Sequence, residues 1–100
     1  MAHFMATLIY PTESAQDIGK KFTSGALPKL PDYVKQLYIF VATAGDIKTY
    51  SIYEVPDVKK HEGFKAINNR YAGYFGIKGF KYTLEPLLTS REALPMIGLG

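Results

Sequence analysis

The chain has 100 residues, of which 47% are hydrophobic, 21% are charged and 14% are aromatic, and its formal net charge is +3. This length predicts one domain spanning residues 1–100, and the composition excludes a disordered chain. Because there is no cysteine, disulfides, thiolate metal sites and cysteine nucleophiles are excluded as well.

The first part of the chain predicts a strand, a helix and an extended connector. Residues 4–10 are apolar and partly β-branched, and Pro11 ends this strand. Ser14 is the predicted N-cap of the helix, and Gly25 is placed to take the left-handed conformation that ends it. Two prolines within residues 26–32 then predict an extended loop.

The second predicted strand, residues 34–43, has apolar side chains on both of its sides. One side holds Val34, Tyr38, Phe40 and Ala42, and the other holds Leu37, Ile39 and Val41. A strand that is apolar on both sides needs cover on both faces of its sheet. We therefore expect this strand to be covered by something other than water on each side.

The second half of the chain predicts a hairpin return, a helix, a fourth strand and a tail. Residues 47–55 return antiparallel after a short turn, and Asp57 is the predicted N-cap of the second helix. Residues 80–84 alternate as the fourth strand. Residues 86–100 form an apolar tail with a Thr89–Glu92 capping-box spacing, which we expect to pack on its own or on a partner subunit.

This order of elements predicts an α+β, ferredoxin-like fold, in which a four-stranded antiparallel sheet has two helices on one face. With its two-sided second strand, the sequence resembles the dimeric α+β barrel proteins, whose domains press their helix-free sheet faces together. The resemblance implies a homodimer. Its members include cofactor-independent monooxygenases, isomerases, cyclases and haem-degrading enzymes, which typically use a tryptophan that this chain lacks.

Two hypotheses about function follow, from different classes. The first is a homodimeric binding or accessory module with no catalysis. The second is a cofactor-free enzyme, a monooxygenase, isomerase or cyclase, acting on an aromatic or hydrophobic small molecule. RNA binding through exposed aromatic side chains ranks third, because the lysines are scattered and only two arginines are present.

His61 is the candidate catalytic residue, because an imidazole changes its charge near neutral pH. The alternative interpretation is a solvated histidine in a polar first turn of the helix. The ligand-pocket candidates are tyrosines on predicted strands, which combine an apolar ring with a polar tip. They are Tyr38, Tyr50, Tyr53 and Tyr82. Alternatively, these rings form the sheet core and the subunit interface.

We expect neither a cofactor nor a metal site, since no cluster of Asp or Glu residues accompanies either histidine at metal-ligand spacing. The longest apolar runs are shorter than the ~20 residues of a membrane-spanning helix, and no signal-peptide pattern opens the sequence. The expectation is therefore a cytoplasmic protein without a membrane partner.

Overall fold

A computed structural model describes all 100 residues as an α+β fold. The strands are β1 (Ala2–Tyr10), β2 (Lys35–Ala44), β3 (Asp46–Val55) and β4 (Lys81–Leu87), and the helices are α1 (Ala15–Thr23), α2 (Lys60–Ala72) and the short α3 (Ser90–Ala93). Single 3-10 turns lie at Thr12–Ser14, Asp57–Lys59 and Leu94–Ile97. None of the helices combines the length and the apolar character that crossing a membrane requires.

All neighbouring strands are antiparallel, and their order across the sheet is β2-β3-β1-β4. The predicted α+β class and the four-stranded antiparallel sheet are thus confirmed. The predicted strands begin and end within about two residues of the observed ones, apart from β4, which continues to Leu87. A bulge at Gln36/Tyr38 shifts the pairing of β2 with β3, so that Leu37 has no direct partner.

The core lies between one face of the sheet and the two longer helices. Alternate residues of β1 and β3 are buried there, together with Ile18 of α1 and Ile67 of α2. The buried strand residues are Phe4, Ala6, Leu8, Tyr10, Thr49, Ser51, Tyr53 and Val55. We call this the helix-side face and its opposite the open face, which no helix of the chain covers.

Two predicted helix caps differ in detail from the structure. Ser14 is the N-cap residue of α1, but its hydroxyl donates to the Lys78 carbonyl oxygen at 2.6 Å instead of capping the helix. Asp57 begins a 3-10 turn before α2 and accepts a hydrogen bond from the N-terminal amine at 3.2 Å. Both side chains form hydrogen bonds to groups that are distant in the sequence, and a local capping motif does not predict such partners.

The C-terminal tail follows β4 and lies outside the core. The capping box predicted for Thr89 and Glu92 is present, with both reciprocal hydrogen bonds formed. Leu94, Met96, Ile97 and Leu99 are exposed. The expectation that this tail packs on a subunit stays a prediction.

Candidate functional site

A cleft of about 210 Å³ lies between the helix-side face of the sheet and helices α1 and α2. Its floor comes from β1 and β3, its walls from α1 and α2, and its rim from β2. The lining residues are Leu8, Tyr10, Ala15, Ile18, Gly19, Phe22, Gln36, Ile39, Val41, Thr49, Ser51, Tyr53, Arg70, Tyr71 and Tyr74. Most are apolar, as is usual in small-molecule sites.

The cleft lies where α1, which is much shorter than β2, leaves the helix side of that strand exposed. Nine helical residues span about 13 Å, whereas ten strand residues span about 33 Å. Phe22, Ile39 and Val41 therefore remain 49%, 48% and 61% exposed around the entrance. Three large apolar side chains thus surround an opening that leads to the interior.

Gly19 lies in the middle of α1 and lines this cleft. Glycine inside a helix costs about 1 kcal/mol relative to alanine. A Cβ atom built on Gly19 would meet no atom within 4 Å, so packing in the chain does not require glycine here. Because Gly19 has no side chain, this part of the cleft stays open.

Hydroxyl groups gather at the inner end of the cleft. The Tyr53 and Tyr71 phenols share a hydrogen bond of 2.5 Å, and the Ser51 hydroxyl lies beside them. Gln36 Nε2 donates to Ser51 Oγ at 3.1 Å. Burial raises the pKa of Tyr71 and of Tyr53, so both phenols stay protonated at neutral pH.

Arg70 is the one charged residue that lines the cleft. Its Nη1 donates to the Pro28 carbonyl oxygen at 2.9 Å, and none of the ion pairs in the structure includes it. Arg70 lines the cleft together with Tyr71 and Tyr74, and its charge partly offsets the burial that raises the pKa of both phenols. The cleft therefore has an apolar body and a polar, positively charged side.

The structure does not bring the four candidate tyrosines together. Tyr53 lies in the cleft, whereas Tyr38 and Tyr50 lie on the open face. Tyr82 faces the helices outside the cleft, where its hydroxyl donates to Asn68 Oδ1 at 2.7 Å. Sequence reasoning missed Arg70, Tyr71 and Tyr74 as site residues.

His61 is exposed in the first turn of α2, beside a shallow surface depression with charged neighbours. Those neighbours are Asp57, Lys60 and Glu62. Ten residues separate His61 from Tyr71, which is about 15 Å along the helix. The structure therefore does not join His61 to the cleft. No group of three or more histidine and acidic side chains is arranged to hold a metal ion.

The open face is the second surface of interest, because large apolar side chains are exposed on it. Tyr38 and Phe40 of β2 are 58% and 63% exposed, and their rings stack with centroids 5.9 Å apart. Both lie beside β3, with Tyr38 paired to Ile52 and Phe40 paired to Tyr50. Large exposed apolar patches on folded proteins are commonly binding surfaces, so these rings are relevant to function.

The charged side chains of the open face lie toward its two ends. At one end Lys48 of β3 and Lys81 of β4 lie in the row that includes Ile9. Toward the other end Glu54 of β3 and Glu85 of β4 occupy the corresponding positions, in successive rows. The face is thus basic at one end and apolar in the middle. The other end carries both signs of charge, because Lys35 of β2 and His3 of β1 share the row of Glu54, and His3 Nε2 lies 3.2 Å from Glu54 Oε2.

Comparison with protein-family models and with curated protein sequences found no match to this chain. The cleft and the open face are therefore the two features of the molecule that bear on its function.

Proposed function

We propose that this protein is a ferredoxin-like binding module that pairs through its open face into a homodimeric α+β barrel. Each copy holds a small aromatic or hydrophobic molecule in its cleft. One observation supports both halves of the proposal: β2 exposes apolar side chains on both of its sides. Phe40 on the open face is 63% exposed, and its neighbour Val41 on the helix side is 61% exposed.

The size of the open face suits a stable pair. Four strands about 4.8 Å apart and about 30 Å long present roughly 550 Å² in projection. The relief of the side chains raises the accessible area above this value. The face therefore approaches the ~800 Å² that each partner contributes to an interface of standard size.

The charges of the open face favour a second copy of the chain as its occupant. In one arrangement, which we call the crossed arrangement, a two-fold axis lies between the two sheets and runs perpendicular to the strands. Each strand then lies over the same strand of the other copy and runs in the opposite direction. Lys48 would then face Glu54 of the other copy, with opposite charges opposed. Phe40 would face Tyr38, so that apolar groups also meet.

The other two-fold arrangement, with its axis along the strands, matches less well. It would place β2 over β4 of the second copy. Phe40 would then face Thr83, and Tyr38 would face Glu85. Apolar rings against polar and acidic groups would gain less from burial. The crossed arrangement is therefore the one we propose.

The cleft supports the binding half of the proposal. It has an apolar lining, an entrance with apolar side chains, and a few polar groups at one side. Apolar walls bind a hydrophobic body, and the hydroxyl and guanidinium groups fix its orientation. At about 210 Å³ the cleft is smaller than the ~300–1,000 Å³ of drug-sized sites, so its ligand is small.

Sedimentation equilibrium tests the dimer with two substitutions on one strand. Phe40→Asp places a charge on the open face, whereas Val41→Asp places the same charge at a neighbouring position of similar exposure on the helix side. We expect wild type and Val41→Asp to be dimers and Phe40→Asp to be a monomer. Equal association of the two variants would contradict pairing through the open face.

Charge reversal tests the arrangement within the dimer. Lys48→Glu would put two glutamates opposite each other and weaken association, by about tenfold for a pair buried at the interface. Adding Glu54→Lys in the same chain would restore opposite charges and recover the affinity. If the double variant associates no better than Lys48→Glu alone, the crossed arrangement is wrong.

A further inference from the structure

The polar side of the cleft has an unpaired positive charge. Arg70 can donate five hydrogen bonds, and within the chain its only acceptor is the Pro28 carbonyl oxygen. The pairs Met1–Asp57, His3–Glu54 and Lys78–Glu13 are the ion pairs of the structure, and all lie elsewhere. An anion in the cleft would therefore find a cation that no carboxylate of the protein neutralises.

The hydroxyl groups that line the cleft with Arg70 include one O–H hydrogen that no hydrogen bond within the cluster uses. Tyr53 and Tyr71 together have two O–H groups, and the hydrogen bond between them uses one. The Ser51 oxygen accepts from Gln36, which leaves the serine hydrogen to be donated as well. Each hydroxyl can donate to the next one in this hydrogen-bonded row, and the last O–H group then needs an acceptor from outside the row.

The remaining lining is apolar and suits a flat or narrow ligand body. Ile18 and Phe22 of α1 lie on one side of the cleft, and Tyr74, in the turn that follows α2, lies on another. Gly19 between the α1 residues leaves space that a side chain would otherwise fill. A ring or short hydrocarbon chain inserted here would contact apolar groups while its polar end reached Arg70.

From these three features we infer that the cleft selects small monocarboxylates with an aromatic or other compact apolar body. The carboxylate accepts from the Arg70 guanidinium and from a hydroxyl of the Tyr53–Tyr71 pair. Arginine and carboxylate groups match in geometry, and hydrogen bonds to a charged group are stronger than neutral ones. This inference rests on the proposed ligand-binding function of the cleft and adds the chemical class of the ligand.

Isothermal titration with two matched probes tests this selectivity. The probes are 3-phenylpropionate and its neutral amide, 3-phenylpropionamide, which share one apolar body. We expect wild type to bind the carboxylate at least about tenfold more tightly than the amide. Arg70→Gln should reduce this ratio to about one, whereas Arg70→Lys should keep part of it.

Two further variants separate local from general effects. Lys65→Gln removes an exposed positive charge from the same helix outside the cleft, and it should leave the ratio unchanged. Gly19→Leu fills the cleft and should abolish binding of both probes. Circular dichroism of each variant confirms that it is folded.

The possible outcomes distinguish this inference from the function on which it rests. Equal binding of the two probes by wild type, both lost in Gly19→Leu, would overturn selection of carboxylates and leave the ligand cleft intact. A carboxylate preference that survives Arg70→Gln would also overturn it. If neither probe binds wild type, both the selectivity and the cleft as a site for such ligands are contradicted.

Discussion

Gly63 is a point of close approach between α2 and β3, and replacing it with alanine tests this packing. A Cβ atom on Gly63 would lie 2.7 Å and 2.9 Å from the two γ-methyl carbons of Val55, against about 3.5–4.0 Å for an ordinary contact. Rotating the valine side chain does not help, because both of its methyl groups are too close. Val55 is fully buried, so the helix or strand itself must move.

The expected cost follows from comparison with Gly19→Ala. Both substitutions gain about 1 kcal/mol in helix propensity, but only the one at Gly63 creates a clash. Overfilling a packed core costs about 1–3 kcal/mol. We therefore expect Gly63→Ala to be less stable than Gly19→Ala by about 1–3 kcal/mol, with Gly19→Ala itself more stable than wild type.

Urea unfolding followed by circular dichroism measures this difference. All variants are compared at one protein concentration, because association stabilises the folded chain. In a Val55→Ala background the two methyl groups are gone, and the added cost of Gly63→Ala should largely disappear. Equal stability of Gly63→Ala and Gly19→Ala would refute the close packing of α2 on β3.

Two other predictions concern buried hydroxyls. Burial raises the pKa of Tyr74 to about 12, although the charge of Arg70 partly opposes this shift. The stability that the neutral Tyr74 phenol contributes is therefore present below pH 10. It is lost between about pH 10 and 12, because this tyrosine ionises first in the unfolded chain. Urea midpoints should fall over this range less steeply in Tyr74→Phe than in wild type, and an equal fall would argue against a buried Tyr74. Ser14→Ala leaves the Lys78 carbonyl oxygen without its buried donor and should cost about 1–2 kcal/mol. The exposed Ser90→Ala should change the free energy of unfolding by less than about 0.5 kcal/mol, and a similar small change for Ser14→Ala would contradict the buried bond.

Much of the fold was predictable because short-range patterns determined it. An apolar, partly β-branched run located β1, and alternating apolar residues located β4. The apolar residues of α2 recur at helical spacing. The turn at Gly45 has a left-handed backbone, at φ 84°, and joins β2 to β3 as the sequence indicated. These features depend on neighbours along the chain.

The cleft was not predictable in the same way. Tyr71 and Tyr74 continue the spacing of Ile67, so the sequence pattern of the site is the same as that of a packed core. The cleft lies where the helix side of β2 is left exposed beside α1, and this depends on how separate elements are placed. That Arg70 lines the same cleft as the phenols is likewise a property of the tertiary structure.

The two-sided apolar pattern of β2 was informative, although one chain alone does not satisfy it. The strand lies at the edge of the sheet, where it pairs only with β3. Its open-face side chains and its helix-side side chains are both exposed. The expected cover on both faces therefore becomes a proposal about a second copy on one side and a ligand on the other.

Isotope-filtered NMR on an equal mixture of labelled and unlabelled wild-type chains tests the central proposal most directly. It detects only contacts between different copies. Pairing through the open face in the crossed arrangement predicts intermolecular signals between the Phe40 and Tyr38 rings and between Tyr50 and Ile52. A chain that stays monomeric, with a mass of 11.2 kDa, would contradict this pairing. Intermolecular signals that come only from other surfaces would contradict it as well.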